Sequence, residues 1–211
     1  MLAAAPGVFY AQSLLSRLDE AARTFTGATA QIRSTHHLRV IDSDDTDIGI
    51  ITVKRIAPGK MHYLVEFTAP DPKRVALRDQ TVELYYPKRN EIEVWNIAKY
   101  RDLAQALLLL GFGMSGRELA ANYEIREAAV EKVGSQPAAH LELTPKSPRV
   151  REQVNRIDLW VSEETGCALQ QKFSLPDGEY RLNTFTDLQV NPKLPLSIMD
   201  LPKGAKRMKM N

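Results

Sequence analysis

From about residue 30 to residue 190 the sequence alternates apolar and polar side chains with a period of two, broken by one long interruption. A period of two belongs to strands, because successive side chains point to opposite faces. Strands are expected at 30–41, 48–56, 61–68, 74–78, 81–86 and 91–97, and again at about 123–130, 138–144, 154–162, 167–175 and 179–190. Turn residues separate them. Ala57, Pro58, Gly59 and Lys60 form one turn, and Pro87, Lys88, Arg89 and Asn90 another. Glu163 to Gly166 and Pro176, Asp177, Gly178 are hairpin turns, since Pro and Gly supply the dihedrals a tight turn requires. Short turns join antiparallel neighbours, so the expected fold is mainly β, an antiparallel meander of about ten or eleven strands. No alternation of strand and helix appears, which disfavours Rossmann folds and TIM barrels.

Two segments change period. Residues 13–25 place Leu14, Leu18, Ala21, Ala22 and Phe25 on one helical stripe, with Ser13 as N-cap and Gly27 past the end. Residues 100–110 place Leu103, Leu107 and Leu110 on a second stripe. Gly111, Gly113 and Gly116 follow, and Ser115 is placed to cap a short helix over 116–121.

The strands carry apolar residues on both faces. Ile48, Ile50 and Ile56 oppose Ile51 and Val53, and Ile157, Leu159 and Val161 oppose Trp160. Either a strongly curved sheet around an apolar interior or a two-sheet sandwich produces this pattern. A curved interior that side chains do not fill is a hydrophobic ligand cavity, and one that they fill is a core.

Charge narrows the function classes. The chain has 211 residues and a formal charge of +2, too small to point to nucleic acid. Lys203, Lys206, Arg207 and Lys209 lie close to the C-terminus with no acid among them, so the body is mildly acidic. Residues 204–211 are expected as a basic tail, solvated or in contact with anionic lipid. The one cysteine, Cys167, forms no intramolecular disulfide and no thiolate zinc site alone. Residues 1–12 are small and apolar, and read either as the end of a removed leader peptide or as a frayed tail. The domain itself is expected over 13–203.

No catalytic constellation, metal site or cofactor motif stands out. His36 and His37 are adjacent on a strand and face opposite ways, so they cannot share a metal. The acidic run 42–47 lacks the Gly and Glu that a calcium loop needs at its sixth and twelfth positions, and reads as a hairpin turn. Gly111, Gly113 and Gly116 follow a leucine-rich helix rather than a strand, so they read as a cap and turn instead of a phosphate loop. Glu91 and Glu93 share one strand face, expected to be solvated. An enzyme is not expected.

The order of segments resembles the bacterial outer-membrane lipoprotein carrier family, the LolA-like proteins. The amphipathic helix 13–25 precedes a Gly-x-x-x-Val-Lys-Arg strand at 49–55. An aromatic strand then closes in Thr68, Ala69, Pro70, Asp71, and Arg78, Asp79, Gln80 lead to Leu84, Tyr85, Tyr86, Pro87. The leucine-rich helix 103–110 stands where the family has its mid-chain helix, and later hairpins end in Phe185, Thr186, Asp187, Leu188. Gln80 stands where the family often has Gly, Ile56 where Pro often follows, and the 57–60 loop looks longer. The resemblance implies an incomplete antiparallel β-barrel, a half-barrel covered by helices, that holds acyl chains in a soluble periplasmic carrier. It implies a lipid-lining set of Met61, Tyr63, Val65, Phe67, Val82, Leu84 and Tyr86, with Leu103, Leu107 and Leu110 as a lid stripe. Arg55 matches the residue that bonds lid elements and controls opening. Implied partners are an acylated lipoprotein or other lipid, an inner-membrane ABC-type releasing complex and an outer-membrane acceptor. A lipid- or lipoprotein-sensing regulatory domain of the same half-barrel is the alternative.

Overall fold

The computed structural model describes residues 6–100 and 110–210, with the side chains of 6–13, 100, 127 and 128 left aside. It contains one twelve-stranded sheet, curled and open at both ends. The first meander comprises β1 (Gly27–Leu38), β2 (Ser43–Ala57), β3 (Lys60–Ala69), β4 (Lys73–Arg78), β5 (Thr81–Tyr86) and β6 (Glu91–Asn96). The second comprises β7 (Tyr123–Val133), β8 (Gln136–Pro145), β9 (Arg156–Ser162), β10 (Ala168–Ser174) and β11 (Tyr180–Val190). β1 pairs antiparallel with β11, Ile32 opposite Phe185, and this joint fuses the two meanders. A last strand, β12 (Lys206–Met210), is added parallel to β6.

One topological fact decides where the site lies. β6 sits at one end of the sheet, inside β12, and β7 is the opposite edge. The connection from β6 to β7 therefore joins opposite ends of the sheet. It begins with a 3-10 turn (Ala98–Tyr100) and ends with α2 (Gly116–Asn122), after α1 (Pro6–Thr24) at the start of the chain. α1 and α2 lie against each other and cover the inner face.

The inner face carries the main core. Leu14 and Leu18 of α1, Leu119 of α2, and Ala30, Val53, Leu141, Ile157 and Phe185 of the sheet are buried in one cluster. The outer face holds a second, smaller core. Leu64, Ala76 and Ile92 are covered there by Met199, Leu201 and Ala205 of the C-terminal segment. Two cores on one sheet bury apolar residues of both strand faces, while Ile48, Ile50 and Ile56 of β2 stay exposed, and a single curled sheet replaces the sandwich alternative.

Three expectations change. α1 starts at Pro6 rather than after Ser13, with Pro at its first turn, where a missing N–H is harmless. The basic C-terminal segment expected as a tail is strand β12; Arg207 reaches the buried Glu83 carboxylate, and Lys206 stands 3.8 Å from Glu91. The expected solvated face of Glu91 and Glu93 is only partly exposed, because Arg89 lies 3.5 and 3.4 Å from their carboxylates. Ile92, between them, is the residue that enters the outer core.

Candidate functional site: the covered inner face

β2 and β3 build the centre of the inner face. Their register sets Val53 opposite Tyr63, Ile51 opposite Val65, Arg55 opposite Met61 and Gly49 opposite Phe67. β4 and β5 continue it, with Leu77 opposite Val82 and Val75 opposite Leu84. Of the residues expected to line a cavity, Tyr63 is buried in the main core, and Met61, Val65, Phe67 and Val82 are half-buried against it. Leu84 and Tyr86 follow Val82 on the same side and are half-buried. Leu110 is fully buried. Leu103 and Leu107 lie outside the described residues.

Residues 110–116 form a strap over this face. Its first part is tied to β10: the Leu110 carbonyl accepts from Gln171, and the Gly111 carbonyl accepts from the Ala168 N–H at 2.7 Å. Phe112 meets Phe185 edge to face, with centroids 5.0 Å apart. Its middle is tied to β2. Arg55 Nη2 donates to the Gly113 carbonyl at 3.4 Å and to the Ala22 carbonyl of α1 at 3.0 Å. The Arg55 guanidinium also stands 5.9 Å from the centre of the Phe25 ring. Gly113 has φ +68°, and a Cβ there would come within 2.5 Å of both Met61 and Phe25, so only glycine fits so close to the inner face. Ser115 and Glu118 form a capping box that starts α2, and Asp19 of α1 accepts the Arg117 N–H at 3.1 Å. Thus the strap reaches from the β10 side to the β2 side, and one arginine joins it to α1.

Tyr63 and Arg55 are the polar groups at the centre. Tyr63 is 4% exposed. Its hydroxyl has no hydrogen-bond partner, and neither has Arg55 Nε. An unanswered buried polar group costs about 1–3 kcal/mol. Burial pushes the Tyr63 hydroxyl pKa up, and the Arg55 charge opposes that shift.

The other candidate clusters lie elsewhere. His36 bonds Glu179 at 3.0 Å, while His37 bonds Asp44 at 2.9 Å and stacks on Tyr180, so the pair does split between two faces. His140 sits between Asp158 and Glu131, both at 3.0 Å, and stacks on Trp160. That network lies on the outer face, since its neighbours Leu141, Ile157 and Leu159 point inward. Among the described residues no group of three His, Cys, Asp or Glu is placed to hold a metal ion. Cys167 is 1% exposed, and burial pushes its thiol up to about 11. Native protein at pH 8 is therefore expected to resist thiol reagents, with labelling only on unfolding. Prompt stoichiometric labelling in buffer would contradict the burial.

Sequence reasoning found the inner face of β3 but missed Phe112 and Gln171. Phe112 lies within a glycine run that reads as a bare turn. Gln171 is a buried polar residue on an apolar face, and its strap partner, the Leu110 carbonyl, is a backbone atom that sequence patterns do not register.

No family model matches the sequence, and no curated protein does. Solved structures do resemble the fold. An uncharacterized conserved protein from Thermus thermophilus shares it at 13% identity and TM-score 0.60, over 95% of this chain and 99% of that one. MucB shares it at 18% identity and TM-score 0.60, over 96% of this chain and 66% of MucB. The lipoprotein LppX of Mycobacterium tuberculosis does so at 10% identity and TM-score 0.52, over 88% of this chain and 98% of LppX. The protein is an open, helix-covered half-barrel, a fold it shares with MucB and LppX. It spans about two thirds of MucB, which is also known in complex with MucA from Pseudomonas aeruginosa.

Proposed function

We propose that this chain is a periplasmic carrier that shields the acyl chains of a lipoprotein or another lipid against the inner face and delivers them towards the outer membrane. The observation that carries this reading is the strap: residues 110–116 lie over an apolar inner face and are held to it through the backbone carbonyls of Leu110, Gly111 and Gly113. Each buried CH₂ contributes about 0.8 kcal/mol, so a multiply acylated molecule does not cross water unaided. A carrier answers this with burial alone and needs no chemistry. An ABC-type complex at the inner membrane would load it, and an outer-membrane acceptor would unload it. Native mass spectrometry of protein purified from membranes is the test. Co-purified diacyl or triacyl species are the expected result; an empty protein, indifferent to added lipid, would overturn the reading.

A second reading is a lipid- or lipoprotein-sensing regulatory domain. The likeness to MucB, known in complex with MucA, favours it. A transfer assay between donor and acceptor vesicles separates the two. A carrier moves acylated cargo between them, whereas a sensor binds lipid and retains it.

A further inference from the structure

Among the described residues, two unpartnered polar atoms of the inner face, Tyr63 Oη and Arg55 Nε, share one chemistry. The register sets Tyr63 opposite Val53 and Arg55 opposite Met61, so the two are diagonal neighbours on one face. Both atoms are fully buried. Both carry a hydrogen to donate. The same core holds Phe25, Val53, Met61 and Val65, whose side chains carry no oxygen or nitrogen. The remaining unpartnered buried side-chain atoms among the described residues, Arg78 Nε and Glu83 Oε2, belong to groups that hold the C-terminal segment, Arg78 through Met199 and Glu83 through Arg207.

A bare hydrocarbon chain would leave both donors unanswered. An acyl chain arrives attached to an ester or amide carbonyl, whose oxygen has lone pairs and no hydrogen of its own. Two donors on diagonal neighbours in an apolar wall are each answered by such an oxygen. Arg55 already shows this preference, since both partners of its Nη2 are backbone carbonyls.

We propose that Tyr63 and Arg55 form a carbonyl-binding subsite in the inner face, which takes the ester or amide carbonyl of an acylated lipid. The inference rests on the carrier reading and adds a selectivity to it: cargo is recognised by the linkage at the head of the chain as well as by the chain.

The experiment uses short-chain probes that stay monomeric, each paired with an ether-linked twin that lacks the carbonyl. One pair is a dioctanoyl phosphatidylglycerol, and the other a dioctanoyl glyceryl-cysteine peptide. Binding is read as displacement of Nile red from the full chain. The native protein is expected to bind at least one ester probe about tenfold more tightly than its ether twin. Tyr63→Phe is expected to bind both alike, at the affinity of the ether twin, with an unchanged or higher melting temperature. The pair that shows the preference names the source of the carbonyl. Arg55→Gln serves as a second variant and is expected to lose part of the preference. Equal binding of ester and ether by the native protein overturns the subsite while leaving the carrier reading intact, and so does a preference that survives Tyr63→Phe. Failure of every probe to displace the dye overturns the carrier reading, and the subsite with it.

Discussion

Replacing Arg55 with leucine is expected to speed amide exchange in residues 110–116 by roughly tenfold. A hydrogen bond to a charged group contributes about 1.5–3 kcal/mol, and each 1.4 kcal/mol is a factor of ten. Arg55 makes two such bonds, to the carbonyls of Ala22 and Gly113, at 3.0 and 3.4 Å. Only the second reaches the strap, and it is long, so its loss counts at about the low end of that range. The β10 anchors, Ala168 and Gln171, remain in the variant, so the strap loosens at its β2 end first. Amides of β8 and β9, far from the latch, should exchange as before. In the transfer assay the same variant is expected to change the rate of cargo release. Unchanged exchange in the strap, together with unchanged loading and transfer, would remove Arg55 from any role in opening.

Gly49→Ala should destabilise the whole domain by about 3 kcal/mol or more, the upper end of what overpacking usually costs. A Cβ at Gly49 would lie 2.1 Å from the Glu66 carbonyl oxygen and 2.8 Å from Phe67 Cα, and neither is the end of a movable side chain. The register of β2 against β3 shifts between Ile48 and Gly49. Glycine inside a strand marks such a close approach or bend. Relief would require β2 and β3 to part at the strand pair that presents Arg55, Tyr63 and Phe67. Urea unfolding is the measurement, with the midpoint falling and the slope unchanged. A loss below about 1 kcal/mol would show that the sheet flexes there far more easily than its backbone contacts imply.

Gly49 also marks what a sequence motif leaves out. It is visible as the first residue of a motif, but the motif says nothing of Glu66, the residue that forbids a side chain. The β3 face is legible because alternation is local: Met61, Tyr63, Val65 and Phe67 share a side whatever β3 pairs with. The role of Ile92 is not legible. It alternates with Glu91 and Glu93 as an ordinary half-buried strand would, and only the returning C-terminal segment supplies Met199, Leu201 and Ala205 as its cover. The basic residues near the C-terminus mislead for a related reason. Lys206 and Arg207 look like a solvated tail until Glu91 and Glu83 are brought beside them.

By itself the sequence determined that strands dominate, where most of them turn, and which residues share a face. These are short-range consequences of side-chain alternation and turn dihedrals. The tertiary structure decided what a period of two cannot express. It paired β1 with β11, so that Ile32 meets Phe185, and put β6 and β7 at opposite ends of the sheet. It laid residues 110–116, on the connection between those ends, over the inner face as a strap. It also brings Arg55 under Gly113, because hydrogen bonds to backbone carbonyls depend on where the chain passes and not on which residues it carries.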